Sequence, residues 1–209
     1  MQSPKKSATI EGATQRVCAL HLTEERRADL AQYLARIDDT PASHTVKGMY
    51  VSGLIATMKA ASVGYPEERV HAFKDYPMRD FMGLVLEAGA TLYPQKRLGD
   101  ALHALGCQAI PTFAESISGG VIMATAGRSW KMALTLISRG YEISLKPGKA
   151  TVAVMEADRA VVQLRNVRNF GESYHVGVMT GLMHWCRLQG NVVPKVLSQS
   201  DTDLLISWS

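Results

Sequence analysis

Tyr174 and His175 stand together at the start of a strongly apolar segment, residues 174–188. If that segment is helical, its first N–H groups are unpaired and its dipole is positive at this end. The pair then faces the polar or anionic end of a ligand. Ser173 or Tyr174 merely capping a core helix is the plainer use of the same residues. Arg165 and Arg168 precede them, near the end of an alternating segment, and can converge on the same region. Solvated arginines at a strand edge are the commoner occurrence. The sequence thus nominates Tyr174, His175, Arg165 and Arg168 as ligand-binding residues and names none as catalytic.

The remaining reactive side chains do not group. Six histidines, His21, His44, His71, His103, His175 and His184, form no HxH or HExxH pattern, and His184 and Cys186 point to different faces of a helix. Cys18, Cys107 and Cys186 are odd in number and far apart. They form neither a CxxC pair nor an even disulfide framework, which fits a reducing cytoplasm. Cys107 follows His103 by one helical turn, the spacing of a Cys–His pair, although a free cysteine more often packs as a small hydrophobe. Ser116, in AESISGG, is not set in a Gly-x-Ser-x-Gly elbow. Gly119-Gly120 and Gly127 lead to no Gly-Lys-Ser/Thr phosphate loop. These residues imply no enzyme, no metal and no cofactor.

Composition sets the frame for these side chains. With 209 residues, 46% hydrophobic and 20% charged, the chain can bury a sizeable core as an ordinary globular protein. The formal charge of +4 is spread out, apart from doublets such as Lys5-Lys6 and Arg26-Arg27, which argues against a nucleic-acid surface. The first ten residues lack the apolar run of a signal peptide, and no run of eighteen apolar residues spans a membrane. A soluble cytoplasmic protein is expected.

The elements that must hold the nominated residues read as helices first and strands later. Residues 1–12 form a polar tail. A helix starts at Thr23 with Leu30, Leu34 and Ile37 at helical spacing, and a Pro-Ala-Ser-His linker leads to the main domain. This divides the chain into a tail with a short helix, 1–44, and an α+β ligand-binding-like domain, 45–209. Residues 46–58 suit a helix or the start of a strand, and Gly64-Tyr65-Pro66 breaks them. Further helices are expected at 77–93, with Phe81, Leu84, Val85, Ala88 and Leu92 in one stripe, at 98–105 closed by Gly106, at 110–126 opened by Pro111, and at 130–137. Alternation then predicts strands at 141–145, 151–156 and 160–167. After the helix at 174–188, capped by Gly190-Asn191, strands follow at 192–197 and 204–208. The fold class is α+β: a helical N-terminal half, then an antiparallel β-sheet of about four to five strands with one helix inserted before the last two. Met49, Met58, Met82, Met123, Met179 and Met183 fall on apolar faces, as core filling or as the lining of a pocket.

Several segments in order resemble a paralogous family of uncharacterised proteins expanded in myxobacteria. They are VKGMYVSGLIATM (46–58), DYPMRDFMGLVLEAGATLYP (75–94), ALHALG (101–106), YHVGVMTGLMHWCRLQG (174–190) and a closing ISW (206–208). That resemblance implies no activity. More distantly, the helical first half, the sheet, the helix with a Gly177-x-x-x-Gly181 step and the two-strand finish resemble the ligand-binding fold of haem nitric-oxide sensors, 4-vinyl-reductase domains and Golgi transport-particle subunits. This likeness implies a domain that holds a haem, a hydrophobic small molecule or an acyl chain and that often dimerises. Haem sensors of that group use an axial histidine and a Tyr-x-Ser-x-Arg clamp. Here Tyr141-Glu142-Ile143-Ser144 has the wrong spacing, and His103 is the one candidate ligand on a mainly apolar segment. The expectation is a non-enzymatic sensory or regulatory module for a hydrophobic or anionic small molecule, without a cofactor. The alternative is an interaction module that homodimerises through Gly177 and Gly181.

Overall fold

The computed structural model describes residues 10–63 and 70–209. The first nine residues of the expected tail and the break at Gly64-Tyr65-Pro66 lie outside them. A short 3-10 turn, Ile10–Gly12, leads into α1 (Ala13–Cys18) and α2 (Glu24–Asp38), the latter capped by Thr23, whose hydroxyl accepts from the Arg26 N–H at 3.4 Å. β1 (Thr45–Lys47) runs directly into α3 (Gly48–Ala60), and β2 (Asp75–Pro77) into α4 (Met78–Leu92). The strand alternative and the helix expected at 46–58 are therefore both realised, one after the other.

α4 is more deeply placed than its stripe implied. Phe81, Leu84, Val85 and Ala88 are buried, and so are Met82, Gly83, Leu86 and Ala90 on other sides. The N-terminal helices cover those sides. Arg16 of α1 makes two hydrogen bonds to Glu87, at 2.6 and 2.8 Å, and the Arg26 guanidinium donates to the carbonyls of Ala90 and Pro94 at the end of α4.

α5 (Leu98–Glu115) is one helix, not two. Gly106 does not close it, and Pro111 lies inside it, because Gly106 serves a contact with α8 (Tyr174–Trp185). A side chain at Gly106 would collide with the carbonyl of Tyr174 and meet the Gly177 Cα at 3.0 Å. A side chain at Gly177 would strike the carbonyl of His103, and one at Gly181 would stand 2.5 Å from the Cys107 carbonyl. Residue 111 is the position whose N–H would bond that Cys107 carbonyl in an unbroken helix, and proline has none to give. The small-residue step of α8 is thus spent inside the molecule, so the homodimer contact expected from Gly177 and Gly181 is not available.

The helix break falls at Ser116, whose hydroxyl accepts from the Gly119 N–H at 3.0 Å and caps α6 (Ile117–Ala126). α7 (Trp130–Ser144) is twice as long as expected and absorbs the strand read at 141–145, leaving only β3 (Leu145–Lys146). β2, β1 and β3 form a small antiparallel sheet, and Asp75 pairs with Lys47 at 2.6 Å and Lys146 at 3.1 Å across it. β4 (Lys149–Met155), β5 (Arg159–Arg165), β6 (Gly190–Val196) and β7 (Thr202–Trp208) form a four-stranded antiparallel sheet in the order β4-β5-β7-β6, with α8 inserted before the last two. The α+β expectation is met. Gly190 opens β6 instead of capping α8; the left-handed residue after α8 is Arg187, at φ 59°. Among the described residues no helix is long and apolar enough to cross a membrane.

Gly177→Ala is expected to destabilise the protein by about 1–3 kcal/mol, because two helix backbones must separate. Gly140→Ala in α7, where an added Cβ meets only the Phe113 ring at 3.6 and 3.8 Å, should instead gain up to about 1 kcal/mol of helix propensity. Urea unfolding of the two variants checks the contrast.

Candidate ligand cavity

Six helices and the small sheet line a cavity of about 70 Å3. Its wall takes Tyr50 from α3, Phe81 from α4, and Ala109, Ile110 and Phe113 from α5. α6 supplies Ile122, Met123 and Ala126, and α7 supplies Ala133, Leu136, Ile137, Gly140, Tyr141 and Ser144. α8 adds Tyr174, His175, Val178 and Leu182, and Val46, Leu145 and Asn169 close it. Among the described residues, no lysine, arginine, aspartate or glutamate is on this wall.

The segment before α8 fixes how Tyr174 and His175 enter. Asn166 and Phe170 adopt left-handed backbone at φ 55° and 54°. For a bulky phenylalanine this conformation is strained and must be held by its surroundings. Phe170 is fully buried and stands edge-on to Tyr33 at 4.9 Å between ring centres, and its carbonyl accepts from the Ser173 N–H at 3.1 Å.

His175 is the chemical centre of the wall. Its Nδ1 lies 2.8 Å from the Tyr141 hydroxyl, with both residues buried. Burial lowers the imidazole to about 3 and raises the Tyr141 phenol well above its ordinary value, so both are neutral. The imidazole proton follows from counting. With Tyr141 donating to Nδ1, only Nε2–H lacks a partner; the other tautomer strands the phenol proton as well. Among the described residues Nε2 and the Asn169 carbonyl Oδ1 are both buried without a hydrogen-bond partner, and both residues line the cavity. A second pair is fully satisfied: Ser144 donates to the Gly140 carbonyl at 2.6 Å, so the Tyr50 hydroxyl, 2.8 Å from Ser144 Oγ, is the donor to it.

α6 forms the roof. Met123 and Ala126 face inward, while Ile117 and Val121, 75% and 66% exposed, face outward. The helix packs chiefly on α5 and α7 and is bounded by Ser116 and by Gly127, at φ 56°.

Of the residues nominated from sequence, Tyr174 and His175 come together on the wall. Arg165 pairs with Asp203 of β7 at 2.7 Å and Arg168 with Asp39 at 2.8 Å, and neither lines the cavity. His103 and Cys107 lie on the flank between α5 and α8. The Cys107 Sγ is 4.0 Å from His103 Nδ1, and His103 Nε2 is 3.3 Å from the Thr180 hydroxyl. Burial pushes the Cys107 thiol up and the His103 imidazole down, which disfavours a thiolate–imidazolium pair. The six methionines are buried, but only Met123 reaches the cavity. Among the described residues no three His, Cys, Asp or Glu side chains are grouped to hold a metal. Sequence reasoning missed Tyr50, Tyr141, Ser144 and Asn169. A signal existed for α7: Ala133, Ile137, Gly140, Tyr141 and Ser144 recur at helical spacing, but the alternation of 141–145 concealed it.

The model of a family described as protein of unknown function (DUF2378) matches residues 40–209. No curated protein matches the chain. Among solved structures, an H-NOX protein from S. oneidensis in the Fe(II)NO ligation state is similar at 12% identity and TM-score 0.62, over 78% of this chain and 99% of that one. An oxygen-binding H-NOX domain related to soluble guanylate cyclases, as its oxygen complex, is similar at 15% identity and TM-score 0.59, over 78% and 95%. The Fe(II) unliganded H-NOX protein from K. algicida has 10% identity and TM-score 0.53, over 78% and 96%. The chain has the H-NOX fold, as the fold-level resemblance of its sequence implied.

The buried imidazole makes stability depend on pH. Unfolded, His175 binds a proton near pH 6.5, whereas folded it refuses one until about pH 3. Its contribution is therefore fully present above about pH 6.5 and is lost as pH falls toward 3, at up to about 1.4 kcal/mol per pH unit. His44 and His103, also lowered by burial, act in the same direction. Urea unfolding between pH 7.5 and 4.5 should show a shallower acid slope, by about one proton, in the Tyr141→Phe/His175→Phe double variant.

Proposed function

We propose that this chain, which belongs to the DUF2378 family of proteins of unknown function, is a non-enzymatic sensory or regulatory module that binds a small, mainly apolar molecule in the cavity around His175. The observation that carries the reading is an unpartnered, buried Nε2 in an otherwise apolar wall. A buried polar atom without a partner costs about 1–3 kcal/mol, a cost that a ligand's polar end would remove. The H-NOX fold of the neighbours, whose descriptions include Fe(II)NO and oxygen complexes, supports a ligand-sensing role. Tyr174 and His175 are the binding residues of this reading. Arg165 and Arg168, each in an ion pair, do not contribute to it. Three free thiols are in keeping with a reducing, cytoplasmic setting.

A haem does not suit these residues. The cavity, at about 70 Å3, is well below the roughly 300–1,000 Å3 of pockets for larger ligands, and no cation on its wall would meet the propionates. His103 does not line it, and the favoured tautomer of His175 carries on Nε2 the proton that an iron ligand must lack.

Xenon is a suitable probe, because dry apolar cavities bind it. A saturable 129Xe shift is expected with the purified protein and should be lost in Ala133→Leu, whose side chain grows into the space. No saturable shift in the wild type sinks the reading.

One observation favours a second reading, an interaction module acting as a homodimer. Val154, Val161, Leu205 and Val193 pair in register across all four strands on the outer face of the sheet, and three of the four are exposed. A second copy stacking this row on itself would cover it. Sedimentation should then report a dimer at high concentration that Leu205→Arg disperses; a strict monomer removes this reading.

A further inference from the structure

We infer that the ligand's polar end is an un-ionised group that accepts one hydrogen bond and donates another, an alcohol or a primary carboxamide, and not a carboxylate or an ammonium. This rests on the reading of the cavity as a binding site and names what that site selects.

The selection follows from what the wall holds and what it lacks. His175 is 3% exposed and Asn169 1% exposed, so neither side chain reaches bulk water. Nε2 carries a proton in the tautomer favoured by Tyr141, and it asks for an acceptor. Asn169 Oδ1 has lone pairs and no donor, and it asks for a proton. A hydroxyl or a carboxamide supplies both. Three other polar side chains of the wall do not compete: the Tyr141 proton is given to Nδ1, and the Tyr50 and Ser144 protons are used between themselves and the Gly140 carbonyl. The Tyr174 hydroxyl is a neutral group on the same wall and adds no charge for an ion to meet.

Charge is excluded on a separate ground. Among the described residues the wall holds no ionisable side chain of either sign except His175 and the tyrosines, which burial keeps neutral. A carboxylate would meet no cation there, because Arg165 and Arg168 are paired elsewhere, with Asp203 and Asp39. An ammonium would face a donor at Nε2 and no carboxylate. Burying an uncompensated ion costs far more than one hydrogen bond returns. The anionic alternative read from the sequence, which needed the arginines to converge on α8, is therefore not the one the geometry favours. The rest of the wall is aliphatic and aromatic, which suits a short hydrocarbon body of the size the cavity admits.

Four probes of equal chain length test this: 1-butanol, butanamide, butanoate and 1-chlorobutane. They are titrated at pH 7.5 by ligand-detected NMR, with the His175 imidazole 15N shifts followed in parallel. Butanol and butanamide are expected to bind about tenfold more tightly than 1-chlorobutane, one unsatisfied buried group being worth about that factor. They should move the Nε2 resonance, and butanoate should not bind. Asn169→Leu, which leaves the Tyr141–His175 pair in place, should cut the preference for butanol over 1-chlorobutane about tenfold while 1-chlorobutane still binds. Equal affinity for 1-chlorobutane and butanol, or binding of butanoate as tight as that of butanamide, overturns the inference and leaves the cavity reading standing. Xenon binding with none of the four probes bound overturns the inference alone; no xenon binding removes the cavity reading, and the inference with it.

Discussion

The close crossing of α5 and α8 is the constraint on which the rest of the molecule depends. Gly106, Gly177 and Gly181 let two backbones meet where any side chain would strike a carbonyl. α8 is thereby drawn into the helical half although it sits in sequence between strands of the sheet. Its first turn then faces α7, which is how His175 comes within hydrogen-bond distance of Tyr141. The same crossing leaves His103 and Cys107 on the flank of the pair, so the two most reactive neighbours in α5 are kept from the cavity.

The glycines were visible in the sequence, but their use was not. A Gly-x-x-x-Gly step fits contact with any helix, in the same chain or another, and Gly106 and Pro111 carry the usual marks of a helix end. Only the three-dimensional partner decides, since Gly106 must be empty for Tyr174 and Gly177 to approach. The strands and α4 were legible because alternation and the 3.6-residue stripe are local signals. The strand expected at 141–145 failed for the same reason: Tyr141, Ile143 and Leu145 alternate, yet Tyr141 and Ser144 belong to a helix face completed by residues upstream. Tyr174 and His175 were found through their place at the start of α8. Tyr50 and Asn169 had no comparable local mark, because what distinguishes them is the cavity they share.

Burial and charge divide the molecule sharply. Several cations are paired away from the cavity, including Arg16 with Glu87, Lys47 and Lys146 with Asp75, Arg165 with Asp203 and Arg168 with Asp39. The more exposed of these pairs add little stability each, but they hold formal charge away from the wall. The polar side chains of the cavity wall are neutral and few, so each one's partner matters. Two atoms of that wall, His175 Nε2 and Asn169 Oδ1, have none among the described residues.

The roof helix has a further consequence for how such a fold diversifies. α6 is bounded by a serine cap and a left-handed glycine, and it contributes three side chains to the wall and none of its hydrogen-bonding groups. Exchanging Ile122, Met123 or Ala126 resizes the chamber without disturbing Tyr141, His175 or Asn169. Related chains are therefore free to inherit one polar recognition element and vary the hydrocarbon shape it is read with, so that new ligand ranges arise from a single ten-residue segment.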